Sequence, residues 1–152
     1  MNVFFEFYKI VKSFREEKID YALIGGVAIA FYSEPRFTKD IDILLTVKDF
    51  GSAKRILNDA GYFESSPPWF LIEKALVLFR FMKIRDNDEM IVDILVAKNK
   101  KFEKIIENAQ ETVSAEAGVI RIASKKDLIW LKEQRNSLQD KADIERLKNE
   151  QP

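Results

Sequence analysis

Apolar positions at two spacings divide the chain into elements. Phe4, Phe7, Tyr8, Val11 and Phe14 recur every three or four residues, which predicts an amphipathic helix over residues 3–18. "DYALIGG" (20–26) is a short apolar run closed by glycines and reads as a strand, with a helix starting at the second glycine through "VAIAFYS". Pro35 breaks that helix in the loop "EPRFT" and biases Glu34 away from helical backbone. "KDIDILLTV" reads as a strand buried beyond its first turn, and "KDFGSAKRILNDAG" as a helix capped by Gly61.

"SSPP" reads as a loop. "ALVLFRFMKIRDNDEMIVDILVA" predicts two strands joined at the turn-forming cluster Asp86-Asn87-Asp88. A short polar helix is expected at 100–109, and a second hairpin turning at Glu116-Ala117-Gly118. Ser124 reads as the N-cap of "KKDLIWLKEQRN", with a last helix over roughly 138–149. With no repeat and no Gly/Ser linker, the pattern predicts one α+β domain across 1–152, a mixed β-sheet flanked by helices with two helices at the C-terminal end.

Composition narrows the chemistry by what it lacks. The 152 residues are 47% apolar and 33% charged, within the ordinary globular range, and the 12 phenylalanines predict an aromatic-rich core. Lys plus Arg and Asp plus Glu number 25 each, so net charge steers toward neither nucleic acid nor an acidic membrane. The basic stretch "KNKKFEKI" reads as a solvated helix face, with a phosphate or RNA contact as the alternative. There is no Cys and no His, which removes disulfides, zinc sites built on them, thiol nucleophiles and any Ser-His-Asp triad. Chemistry falls to carboxylates, Lys, Tyr, Ser/Thr or a hard metal. The first residues lack the apolar core of a signal peptide, and no stretch reaches the length of a membrane span, so the expected compartment is the cytoplasm with no membrane partner.

The carboxylates are where the pattern breaks. Alternate residues of a strand share a face, so Asp40 and Asp42 stand on one side about 7 Å apart, with Ile41 and Ile43 on the other. Two like charges on a half-buried face repel, and each loses solvation. A divalent cation explains the pair, since Mg²⁺ takes hard oxygen ligands and enters with phosphates. The alternative is that both acids cap a helix or pair with Arg36 and Lys39. Asp93 lies inside the apolar strand "EMIVDILVA" (89–97), where a lone acid is costly unless paired or metal-bound. If that strand neighbours the Asp40–Asp42 strand, three carboxylates converge, the ligand set of a two-metal phosphoryl-transfer site. Gly25 and Gly26 then have a use beyond the turn: a missing Cβ lets a triphosphate approach backbone N–H groups. No Walker lysine follows, and the third glycine of a dinucleotide fingerprint is missing.

A hydrophobic residue before Gly-Gly, thirteen residues, then Asp-Ile-Asp, with a later single Asp in a strand, resembles the nucleotidyltransferase superfamily of DNA polymerase beta type. "PRFTKDIDILL" is similar to the Arg-x-Thr-x-Asp-x-Asp signature of its small bacterial members, and most like the AbiEii-like group, toxins of type IV toxin–antitoxin systems and abortive phage infection. The resemblance implies a nucleotidyltransferase fold with its catalytic motif over 24–46. It implies an NTP substrate held with Mg²⁺ or Mn²⁺, Asp40, Asp42 and Asp93 as catalytic metal ligands, and Gly25 and Gly26 on the phosphates. Arg36 and Thr38 match the signature and are taken as nucleotide-binding. "IASKKDLIWLKEQRNSLQDKADIERL" looks like the group's late segment; on that match Lys132 reaches the phosphates, and Arg135, Asp140 and Asp143 order the site or the helix pair over 124–149. A helical salt-bridge pattern accounts for the late acids as well.

The acceptor stays open among RNA, protein and small molecules. Many relatives carry a large extra domain for it, for which this chain has no room. A homodimer through "PPWFLIEKALVLF" could supply the missing wall, and a cognate antitoxin is the other implied partner. The competing reading is a nucleotide-binding or antitoxin-like regulatory module that keeps the fold without turnover.

Overall fold

A computed structural model of the chain describes residues 1–33 and 38–149. Its strands are β1 (Tyr21–Ile24), β2 (Asp40–Thr46), β3 (Phe63–Glu64), β4 (Trp69–Leu71), β5 (Leu76–Arg85), β6 (Asp88–Ala97), β7 (Gln110–Ser114) and β8 (Gly118–Ile122). They form one eight-stranded mixed sheet in the order β3-β5-β6-β2-β1-β8-β7, with β4 beside β3 on the outer edge of β5. The β2–β6 and β1–β8 pairs are parallel and the others antiparallel. The α+β class with a mixed sheet and helices on it is as expected.

The helices are α1 (Val3–Glu16), α2 (Gly25–Ile29), α3 (Val47–Asp59), α4 (Lys100–Glu107), α5 (Lys125–Arg135) and α6 (Leu138–Asn149). Asn2, Asn99 and Ser124 each accept a first-turn backbone N–H, so α1, α4 and α5 begin where a side-chain oxygen can satisfy an orphan donor. Asn136 adopts left-handed backbone (φ 55°) and ends α5, which turns the chain into α6. α2 departs from expectation: it starts at the first glycine and lasts five residues.

The core lies under the central strands. Ile41, Ile43, Leu44 and Leu45 of β2 are fully buried, as are Phe7, Phe14, Phe81 and Phe102. The aromatic-rich core is thus real, yet Phe5, Phe63 and Phe70 stay exposed. α1 is fastened by a buried polar group: Lys83 Nζ and Tyr62 Oη both donate to Glu6 Oε1, at 2.9 and 2.8 Å. Among the described residues no helix is long and apolar enough to cross a membrane.

Candidate active site

Register decides which carboxylates meet. β2 runs parallel to β6 with Asp42 opposite Asp93, and β6 runs antiparallel to β5 with Asp93 opposite Arg80. On the other side Asp42 stands opposite Ile24, the residue before the glycines. One row across four strands therefore reads Arg80, Asp93, Asp42, Ile24, and Asp40 lies two residues along β2 on the same face. The row lines a cleft of about 770 Å³, within the range of small-ligand sites. Gly25, Gly26, Thr38 and Lys132 line it too, so the expected residues are brought together, apart from Arg36, which lies outside the described residues.

Gly25 is the residue that permits the close approach. Its φ of +75° favours glycine, and a Cβ there would stand 2.2 Å from Asp42 Oδ2. The chain after β1 thus passes against the carboxylate with backbone alone. Because α2 has five residues, what it offers is the free N–H groups of one turn rather than a long helix dipole. Thr38 Oγ1 donates to the Asp40 carbonyl at 3.4 Å, a long contact on the approach to β2.

Charge on the row is unbalanced around β2. Burial and the neighbouring Asp93 and Asp40 charges push the Asp42 carboxyl up to about 7, with Lys132 and Arg135 opposing. Burial and Asp93 also raise Asp40, with Arg80 opposing. Among the described residues, neither carboxylate has a hydrogen-bond donor or ion-pair partner. Two oxygen-donor side chains on one face, short of counter-charge, fit a hard divalent cation arriving with phosphates.

Asp93 is different. It is 2% exposed, and both its oxygens accept from Arg80: Nε to Oδ1 and Nη2 to Oδ2, each at 2.9 Å. Among the described residues no group of three acidic side chains is arranged to hold one ion. The three aspartates share a face, but Asp93 is already paired. Arg80 is the site residue that no sequence motif marks. Its signal is a cation within the alternating strand "LVLFRFMK", at equal distance with Asp93 from the Asp86-Asn87 turn.

The late segment packs as an ion cluster at the cleft's edge. Arg135 donates to Asp140 through Nε and Nη2, both at 2.7 Å, and Ser137 adds Oγ at 2.6 Å and its backbone N–H at 3.0 Å. Burial pushes Asp140 up, but the Arg135 and Ser137 hydrogen bonds outweigh it and hold the carboxyl well below its usual range. Lys132 is buried, with Nζ 3.0 Å from Asp143 Oδ2 and 3.8 Å from Asp140 Oδ1. It borders the cleft while tied to α6. The rest of the wall is mostly leucine (Leu71, Leu76, Leu78, Leu95, Leu128 and Leu131), with Lys39 and Gln134 as its further polar residues.

No family model matches the chain, and no curated protein matches it. Solved structures do. A lincosamide antibiotic adenylyltransferase, LnuA, with lincomycin bound, aligns at TM-score 0.63 and 18% identity over 98% of each chain. A candidate nucleotidyltransferase from Thermotoga maritima aligns at TM-score 0.65 and 15% identity, covering 96% of this chain and 92% of that one. The antibiotic-resistance factor ANT(2'')-Ia aligns at 0.64 and 14% identity, over 93% and 80%. At these identities the likeness speaks for the fold, and the fold is that of the nucleotidyltransferases.

Proposed function

We propose that the chain is a metal-dependent nucleotidyltransferase that moves a nucleoside monophosphate from an NTP to an acceptor hydroxyl. The observation that carries this is the Asp40–Asp42 pair, short of counter-charge, facing a cleft against a glycine whose Cβ position the Asp42 carboxylate fills. A Mg²⁺ or Mn²⁺ ion held by these two carboxylates would supply positive charge at the transferring phosphate. Gly25 and Gly26 let the phosphates lie against backbone N–H groups, and Arg135, with Lys132 behind it, lends positive potential from the cleft's edge. Fixed donors of this kind favour a transition state in which charge spreads over the phosphoryl oxygens. The bond from the acceptor oxygen to the α-phosphorus forms as the bond to pyrophosphate breaks, and the acceptor's proton leaves to solvent.

A small hydroxyl-bearing molecule is the acceptor that the leucine-lined wall suits best. The likeness to LnuA and to ANT(2'')-Ia, the latter also solved with adenylyl-2''-tobramycin, supports the same choice. The AbiEii-like signature supports a toxin–antitoxin or phage-defence role for a cytoplasmic protein, and growth arrest on expression, relieved by Asp40→Asn plus Asp42→Asn, is its test. The transferase reading is tested with each α-labelled NTP, Mg²⁺ and a panel of aminoglycosides, lincosamides, RNA and cell extract. Label should pass to an acceptor with wild type and not with the double variant. Calorimetry giving equal NTP–Mg²⁺ affinity for both proteins overturns the assignment.

A further inference from the structure

The salt bridge beside the carboxylate pair has a consequence for how many ions the cleft takes. We infer that Arg80 holds the place of a second cation, so that the site takes one divalent ion, on Asp40 and Asp42, beside a fixed guanidinium. This rests on the reading of the cleft as a metal-dependent nucleotide site. The bidentate grip on Asp93 leaves neither of its oxygens free of a charged donor at 2.9 Å. A divalent ion on Asp93 would have to displace that guanidinium or sit against it.

Arg80 is also held from its outer side. Its guanidinium stands 5.4 Å from the Trp69 ring centroid on β4, in cation–π range. The turn from β4 into β5 carries Ile72, Glu73 and Lys74 at φ of 49°, 53° and 67°, three successive side chains in left-handed backbone. Strain of that kind persists only where the surroundings enforce it, and here it brings β4 back along β5. Arginine suits the task better than lysine, since its planar fork fits a carboxylate and stays charged at every working pH.

A purely structural pair would close on itself. Arg80 instead lines the cleft at 34% side-chain exposure, and Asp93, Asp40 and Asp42 all favour its charged form. Its Nη1 has no partner among the described residues, and its donors remain available to an anionic oxygen in the cleft.

The test counts ions. Protein is dialysed to equilibrium with Mn²⁺ and the α,β-methylene analogue of ATP, and bound Mn²⁺ is measured by electron paramagnetic resonance. Wild type should bind one Mn²⁺ per chain. Arg80→Gln frees Asp93 and should raise the count to two, and Arg80→Lys should return it to one. A neutral Arg80→Gln plus Asp93→Asn protein is the control and should also bind one; if the single variant fails to fold, the wild-type count of one against two carries the test. Two ions in wild type overturn this inference alone, as does a count that stays at one in folded Arg80→Gln. No bound Mn²⁺ in wild type overturns it together with the reading of the cleft.

Discussion

At Gly25 and Asp42 the backbone of one residue occupies the space beside the carboxylate of the other. Gly25→Ala would combine left-handed strain of about 1–2 kcal/mol with a Cβ 2.2 Å from Asp42 Oδ2. At about 2–4 °C per kcal/mol for a chain of this size, the melting temperature should fall by at least a few degrees, with nucleotide binding weakened as Asp42 is pushed aside. Calorimetry reads both. Asp42 itself should make metal-free stability depend on pH. Its folded carboxyl titrates near 7, against 3.8 for an ordinary Asp, because of burial, Asp93 and Asp40. Between those values the fold keeps a proton that the unfolded chain releases, so stability falls as pH rises from about 4 to about 7 and levels off above. Asp42→Asn should lack Asp42's share of this fall and keep the part that the raised Asp40 carboxyl contributes, and melting curves of both proteins from pH 5 to 8 in chelator would show the difference between them change with pH. The pair behind this behaviour was legible, since two acids at alternate positions opening an apolar strand share a face. Arg80 was not. A three-residue turn at Asp86-Asn87-Asp88 would set Phe81 against Asp93, whereas the observed two-residue turn sets Arg80 there. One residue of turn length decides which side chain a buried acid meets.

Among the elements, those with long periodic patterns or a strong cap are legible to within a residue or two at their ends: α1, α3, α5, α6 and the β5–β6 hairpin. The short edge strands β3 and β4 are not, because two or three residues carry no period; β5 supplies their pairing. The polar fastenings between elements were hidden for a similar reason. Glu6 and Lys83 lie far apart in sequence and meet only once α1 is packed on the sheet. The α5–α6 cluster stands between these cases, its residues visible and its pairing not. The resemblance puts Lys132 on the phosphates, and its ammonium lies between Asp140 and Asp143, both fully buried. Lys132→Met should therefore destabilise the metal-free, nucleotide-free protein by about 3–5 kcal/mol, the range for a broken buried ion pair. Denaturant unfolding without ligand checks this; an unchanged midpoint would mean that the lysine is held for the nucleotide alone. The cluster also has its own acid limit. Asp140 titrates below its unfolded value, so its contribution is present above about pH 4 and lost as pH falls further.

Across the molecule, the cleft draws on β1, β2, β5, β6 and the late helix α5, so a ligand there ties the end of the chain to the centre of the sheet. Mg²⁺ with an NTP at a hundred times its dissociation constant should stabilise the fold by about 2.7 kcal/mol. For a chain of this length that is a melting increase of roughly 5–11 °C. Asp40→Asn plus Asp42→Asn should lose the gain. Asp93→Ala separates the remaining two roles. As an unpaired third acid beside two others, Asp93 would lower metal-free stability, and removing it would raise the melting temperature. Its bidentate pair with Arg80 reverses that expectation, because the substitution takes away the two charge-assisted hydrogen bonds made by a buried carboxylate. Relief of repulsion at Asp42 works the other way, but Arg80 stays beside Asp40 and Asp42 and already offsets part of that repulsion. The pair dominates, and partial exposure of Arg80 keeps the net loss to about 1–3 kcal/mol. Metal-free Asp93→Ala should thus melt below wild type while keeping most of its thermal gain from Mg²⁺ and NTP. A variant that melts above wild type without ligand and gains nothing with it would make Asp93 a metal ligand and Arg80 a bystander.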